Sequence, residues 1–284
     1  MRKLFTMVLF TVLMLAGVAY AAQAPIFFAD FECNCWSGWS WNPTVSSTGR
    51  DSIVSDGSNY GGASSTRSAQ TTYPAGLTDG GGSGWSNFGK AQLPDHFMIE
   101  YDFKLSPNFY FPHGQKMLRV MPDMNSGQRA NDTTMNAQLN FGSTLTFEVF
   151  SNSSTFGQKE YTIFAGISRP SVNTWHRLGY RFKKNTFNGS TPNENGETEI
   201  FLDGKSVGSR NNVRLTAVAG TWFRDHWGGP GNFTNTTVGT PTPAEQWIRV
   251  DNFKITSLFG GVTPPPPPPP DPPPPPGVLL TRLR

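Results

Sequence analysis

The chain has 284 residues, with 23 basic and 20 acidic side chains and a formal net charge of +3. Two of the basic residues, Arg2 and Lys3, head an apolar leader, and the remaining balance of 21 to 20 excludes a broad electrostatic affinity for nucleic acid. Strong helix formers are sparse, charged residues are only 15%, and Gly (30) and Phe (22) are abundant, a composition that points to strands separated by Gly and Asn turns.

In chain order, Arg2 and Lys3 form a positive n-region, Leu4 to Val18 an apolar run, and Ala21, Ala22 and Ala24 a small-residue cleavage region. This order predicts a secretory signal peptide over 1–24. The apolar run is short for a membrane span and has no positive stop beyond it, so an extracellular or periplasmic protein with no span in its mature form is expected. Ile26 to Phe31 opens the domain as a strand. Cys33 and Cys35 are the only cysteines. Extended backbone puts both sulfurs on one side, near the upper limit for a bridge, so an internal disulfide needs a local bend; free thiols and an intermolecular bond stay open. The Gly-, Ser- and Trp-rich stretch from Ser37 to Gly89 reads as long loops with short strands.

Clear alternation follows. His96 to Leu105 sets Ile99, Tyr101, Phe103 and Leu105 against Glu100, Asp102 and Lys104. Lys116 to Met121 is a further strand. Met135, Ala137, Leu139 and Phe141 oppose Asn136, Gln138 and Asn140, and Leu145, Phe147 and Val149 oppose Thr146 and Glu148. Trp175 to Lys183 and Thr198 to Leu202 read as an antiparallel pair around a long loop, and Trp247 to Thr256 closes the domain. A period of two with one polar face predicts antiparallel sheets buried on one side. Two of them packed face to face give an all-β, two-sheet antiparallel β-sandwich over residues 25–260. The run PPPPPPPDPPPPP at 264–276 makes 261–284 a Pro-rich tail or linker of polyproline II character.

Four stretches carry a resemblance: FKLSPNFYFPHGQKMLRV (103–120), WHRLGYRFKKNT (175–186), ENGETEIFLDGK (194–205) and IRVDNFKI (248–255). Together they resemble the concanavalin A-like jelly roll of polysaccharide lyases, most of all the alginate and glucuronan lyase branch. That branch carries its chemistry on a concave sheet: a Lys in a Gly-Gly-Lys-Leu-like stretch, a small polar residue and an Arg two apart on the next strand, and a Tyr-x-Tyr pair on the strand after. Lys116 stands at the first place. Asn136, Gln138 and Asn140 occupy the second without an Arg, and Thr146, Glu148 and Phe150 the third without a Tyr.

The resemblance implies action on, or binding of, an acidic, uronate-containing polysaccharide. β-Elimination needs the sugar carboxylate neutralised, a base near the α-carbon and an acid for the leaving oxygen. Lys116, Gln138, Tyr161 and His176 are the catalytic candidates; Arg119, Asn136, Asn140, Glu148 and Tyr180 are the substrate-binding candidates. Lys116 and Arg119 differ in parity, so a straight strand cannot put both on one side. His176 and Tyr180 share parity with Leu178 and Phe182, which favours the core. Arg177, Arg181 and Lys183, on the other parity, read as a solvated convex face or as a basic stripe. Asp30, Glu32 and Asp251, in the first and last strands, form a candidate structural Ca²⁺ site of hard oxygen ligands. Trp175 and Trp247 read as core, whereas Trp36, Trp39, Trp41, Trp85, Trp222 and Trp227 fall in Gly-rich loops, where a ring could stack on sugar or plug the sandwich ends. The rival readings are a non-catalytic glycan-binding module and a structural surface protein on a proline-rich stalk.

Overall fold

The computed structural model describes residues 25–36, 50–77, 93–109, 115–123, 135–141, 145–153, 158–167, 169–216, 219–220, 222–227 and 242–258. The expected leader over 1–24 and tail over 261–284 lie outside the described residues, as do Trp39, Trp41 and Trp85. The strands are β1 (Phe27–Ala29), β2 (Asp51–Val54), β3 (Ser68–Tyr73), β4 (His96–Leu105), β5 (Gln115–Asp123), β6 (Met135–Phe141), β7 (Leu145–Ser153) and β8 (Gln158–Ile167). They continue with β9 (Trp175–Lys183), β10 (Phe187–Asn188), β11 (Thr191–Pro192), β12 (Gly196–Leu202), β13 (Lys205–Val213), β14 (Trp222–Trp227) and β15 (Gln246–Ser257). A single 3₁₀ turn, Tyr60–Gly62, is the one helical element among the described residues, which makes the molecule all-β as expected. No helix among these residues is long and apolar enough to cross a membrane.

Two antiparallel sheets form the body. The larger runs β13-β12-β9-β4-β15-β3-β2, with β1 also paired to β15; the smaller runs β14-β5-β6-β7-β8. β1 pairs with Phe253 to Ile255 and β3 with Gln246 to Val250, so the two lie end to end along one edge of β15. The expected partnership of β9 and β12 is present, from Glu197 opposite Lys183 to Leu202 opposite Leu178.

The core lies where apolar parity predicts it. Ile99, Tyr101, Phe103 and Leu105 of β4, Leu178 and Tyr180 of β9, Ile200 of β12 and Ile248 and Val250 of β15 are fully buried, and from the smaller sheet Met117 and Val120 join them. Each such side chain contributes about 1.5–3 kcal/mol relative to exposure. β15 changes parity midway. Asp251 faces Asp102 while Lys254 faces Glu100, so one extra residue is inserted, and Asn252 takes a left-handed φ of 48°. The bulge returns Phe253 and Ile255 to the core, where the Phe253 ring stacks on Tyr101 at 5.8 Å.

A polar clasp covers the outer side of the larger sheet. Asp102 is fully buried there although its parity is polar: it accepts from Arg177 Nε at 2.7 Å, Arg177 Nη2 at 3.2 Å, Ser58 Oγ at 2.7 Å and Asn252 Nδ2 at 2.9 Å. The Arg177 guanidinium also lies 4.8 Å from the Tyr60 ring centre, so the 58–60 segment lids the ion pair. Nearer the N-terminus Cys33 and Cys35 are disulfide-bonded, with Cα atoms 5.2 Å apart. The required bend is present: Phe31 and Asn34 have φ of 58° and 55°.

Candidate functional site

The register of the smaller sheet decides which residues share a face, because cross-strand partners point to the same side. Lys116 is paired with Gln138 and Gln138 with Glu148, one row across three strands. Arg119 is paired with Asn136, and Asn140 with Thr146. Phe150, two residues on from Glu148, is paired with Tyr161 of β8. Lys116, Arg119, Asn136, Gln138, Asn140, Glu148 and Tyr161 therefore lie at register positions of one face. Val120, next to Arg119, is core-buried, so this is the face turned from the core.

Lys116 and Arg119 come together against the straight-strand expectation. Between Lys116 opposite Gln138 and Leu118 opposite Ala137, β5 advances two residues while β6 advances one. Met117 is the inserted residue of a β-bulge, and a three-residue spacing thereby returns to one face. Met117 is itself fully buried, and its carbonyl accepts a 2.8 Å hydrogen bond from the Tyr101 hydroxyl, which reaches across the core from the larger sheet.

β14, on the other edge of β5, was not foreseen as a strand. Its register sets Trp222 opposite Asp123, Arg224 opposite Met121 and Trp227 opposite Arg119, which adds two tryptophans and an arginine to the same face. The run Trp222-Phe223 is rich in strand-forming aromatics but does not alternate, and the glycines that flank the segment mimic a loop.

Two candidates do not belong to this face. Tyr180 sits fully buried on β9; burial pushes its phenol well above the ordinary range, with the neighbouring Tyr101 hydroxyl acting the other way. It fills the core and is not placed to bind substrate. His176, also on β9, is almost wholly buried. Its Nδ1 lies 2.8 Å from Asp203 Oδ2, and its Nε2 lies 3.1 Å from both the Oγ and the carbonyl oxygen of Ser171. The connectivity is that of a nucleophile triad, but a carbonyl beside Nε2 calls for a proton there rather than a lone pair, and Asp203 Oδ1 also accepts from the Arg177 amide at 2.9 Å. His176 pins the turn before β9 to the β12–β13 hairpin.

Asp30, Glu32 and Asp251 lie near the junction of the first and last strands, but they are taken up by protein donors. Glu32 accepts from Ser65 Oγ at 2.6 Å, Thr66 N at 2.7 Å, Thr66 Oγ1 at 2.5 Å and Arg67 N at 2.9 Å. The Ser65 and Thr66 hydroxyls hold its carboxyl down at about 2, against a small opposing effect of burial. Asp30 Oδ1 accepts from Glu32 N, and Asp251 from Ser58 N at 2.7 Å and Asn252 N at 2.7 Å. Burial, aided by the charge of Asp102, still pushes Asp251 up to about 6. Among the described residues no three His, Cys, Asp or Glu side chains form a group that could hold a metal ion.

The outer-face cations are ion-paired. Arg177 meets Asp102, Arg181 meets Glu199 at 2.7 Å, and Lys183 meets Glu197 at 2.5 Å. Of the two readings, a stripe of cations free to bind an acidic polymer gives way to a charge-balanced outer face. Trp247 is not core: it lies on that face with the Arg249 guanidinium 3.9 Å over its ring. Trp36 packs on the core against Phe31, ring centres 5.6 Å apart.

No family model matches the sequence, and no curated protein does. Solved structures do match in shape. Alginate lyase vAL-1 from Chlorella virus aligns with a TM-score of 0.57 at 14% identity, covering 82% of this chain and all of that one. The endo-β-1,4-glucuronan lyase of Trichoderma reesei aligns at 0.54 and 17% identity, covering 83% and 96%. The PL-14 alginate lyase of Aplysia kurodai aligns at 0.52 and 17% identity, covering 74% and 87%. At these identities the likeness is one of fold, and the chain has the jelly-roll β-sandwich fold of alginate and glucuronan lyases.

Proposed function

We propose that this protein is a secreted polysaccharide lyase-like protein that acts on an acidic, uronate-containing polysaccharide through the outward face of the smaller sheet. The observation that carries this is the β-bulge at Met117, which puts Lys116 and Arg119 on the face that holds Asn136, Gln138 and Asn140. Two cations beside a row of amides suit a polymer of carboxylates and hydroxyls. The fold shared with alginate and glucuronan lyases supports the same reading.

In this reading Lys116 and Arg119 neutralise the uronate carboxylate and so acidify its α-hydrogen at C5. The guanidinium absent from β6 is supplied from β5. Gln138 and Asn136 hydrogen-bond the carboxylate, while Asn140 and Glu148 hold ring hydroxyls. Tyr161, at a register position of the same face, is the candidate proton carrier. The C5 proton leaves to the base, the C4–O bond breaks, the electron pair forms a C4–C5 double bond, and the leaving oxygen takes a proton.

One observation favours a second reading, a non-catalytic glycan-binding module. β7 carries Thr146, Glu148 and Phe150 where the lyase pattern has its tyrosine pair. The test is incubation of the protein with alginate, polyglucuronate and a neutral glucan. Unsaturated product absorbing in the ultraviolet from an acidic polymer supports the lyase. Retention on an acidic polymer without product supports the binding module. Neither on any polymer overturns both.

A further inference from the structure

The β-bulge at Met117 sets the phase of β5, and its carbonyl is held from across the core. Tyr101 stands on β4 of the other sheet, fully buried, and donates its hydroxyl proton to Met117 O at 2.8 Å. Its ring is fixed by stacking on Phe253 at 5.8 Å, itself placed by the bulge at Asn252. An inserted residue leaves the ladder locally disrupted, and a buried carbonyl without a donor is costly. A β5 that kept Met117 in regular alternation, with no bulge, would set Lys116 and Arg119 on opposite faces.

We propose that Tyr101 is a positioning residue: its hydroxyl locks the Met117 bulge and thereby keeps Lys116 and Arg119 on one face for a single acidic glycan. The inference rests on the functional reading above and adds to it a determinant that never touches the ligand. It accounts for a phenol at a core position of β4 where Phe103 and Ile99 are purely apolar. A Phe at 101 keeps the ring and loses the hydroxyl, with its bond to Met117 O and its contact with the Tyr180 phenol.

The experiment is a coupling measurement by affinity electrophoresis in alginate and polyglucuronate. With Tyr101 present, Lys116→Ala and Arg119→Ala should each weaken retention about tenfold, and the double variant should lose less than the product of the two, because both charges serve one site. In Tyr101→Phe, retention should already be about tenfold weaker with cooperative unfolding preserved, and the two alanine effects should become independent. A second background separates positioning from simple stability. Deleting Met117 makes β5 regular while keeping Lys116 and Arg119 on one face, so there Tyr101→Phe should leave retention unchanged and the coupling intact. Tyr101→Phe that leaves the coupling unaltered in the full chain overturns the proposal and spares the functional reading. Alanine variants without effect in the parent overturn both. Should Tyr101→Phe fail to fold alone, loss of coupling in the Met117 deletion with Tyr101 retained also overturns it.

Discussion

Removing the Asp102 carboxylate should cost more than any exposed substitution on the same sheet. Asp102 is fully buried, and four hydrogen bonds from Arg177, Ser58 and Asn252 end on it. Asp102→Ala leaves a half-buried guanidinium facing an empty space and strands the Ser58 hydroxyl and the Asn252 amide. Removing one partner of a buried pair costs about 3–5 kcal/mol. In a domain of this size each kcal/mol lowers the melting temperature by about 2–4 °C, so a drop of about 6–20 °C is expected. Arg177→Ala should cost less, since Asp102 keeps Ser58 and Asn252, and the double variant should fall short of the sum by about 1–3 kcal/mol. Urea unfolding followed by tryptophan fluorescence, on the parent and the three variants, gives all four terms. A loss below about 1 kcal/mol for Asp102→Ala, or strict additivity, would refute the view that this ion pair is a closed unit under the 58–60 segment.

Glu32 and Asp251 predict opposite acid limbs. Glu32 is held low, so its clasp on residues 65–67 is fully present above its ordinary value near 4.5 and lost as pH falls towards about 2; Glu32→Gln should flatten the thermal-unfolding profile in that window, by less than about 1 kcal/mol because the group is exposed. Asp251 is held high, so stability should decline as pH rises from about 3.8 through about 6, a slope a pH series on Glu32→Gln isolates and whose absence would contradict the burial argument. The Cys33–Cys35 disulfide closes so small a loop that replacing both cysteines with Ser should cost only about 1.5 kcal/mol in urea unfolding; a collapse of the fold would show that the bond does more than shape its turn. Added Ca²⁺ and chelator should leave the melting temperature unchanged, since among the described residues no group of carboxylates able to hold the ion is assembled; an upward shift reversed by chelator would place a Ca²⁺ site in the protein.

Alternation made β4, β6, β7 and β9 legible in the sequence, because one buried face leaves a period-two record. What alternation cannot carry is an inserted residue. Met117 and Asn252 each shift the phase of their strand by one, and nothing in GQKMLR or VDNF announces it. Parity therefore separated Lys116 from Arg119, and the structure reunites them. Parity also places Asp102 on a wet face, whereas a loop from far away in sequence, Ser58 to Tyr60, covers it; such cover depends on tertiary contacts that no local pattern holds. The amide row of Asn136, Gln138 and Asn140 was readable because polar side chains at alternate positions have no place in a core. The strand Trp222–Trp227 was not, since glycines on both sides mimic a loop. His176 and Tyr180 were decided by the parity that pointed them inward.

The claim that the outward face of the smaller sheet is the glycan face meets its most direct test in a paired substitution with a control on the other sheet. Lys116→Ala with Gln138→Ala removes two of the three members of one cross-strand row, and Arg181→Ala removes a cation that already has its own partner in Glu199. Each protein is assayed for ultraviolet-absorbing product and for retention on alginate and polyglucuronate. The paired variant should lose product and retention while Arg181→Ala keeps both at the parent level. Retention unchanged in the paired variant, or lost with Arg181→Ala, would put the ligand on the other sheet and contradict the claim.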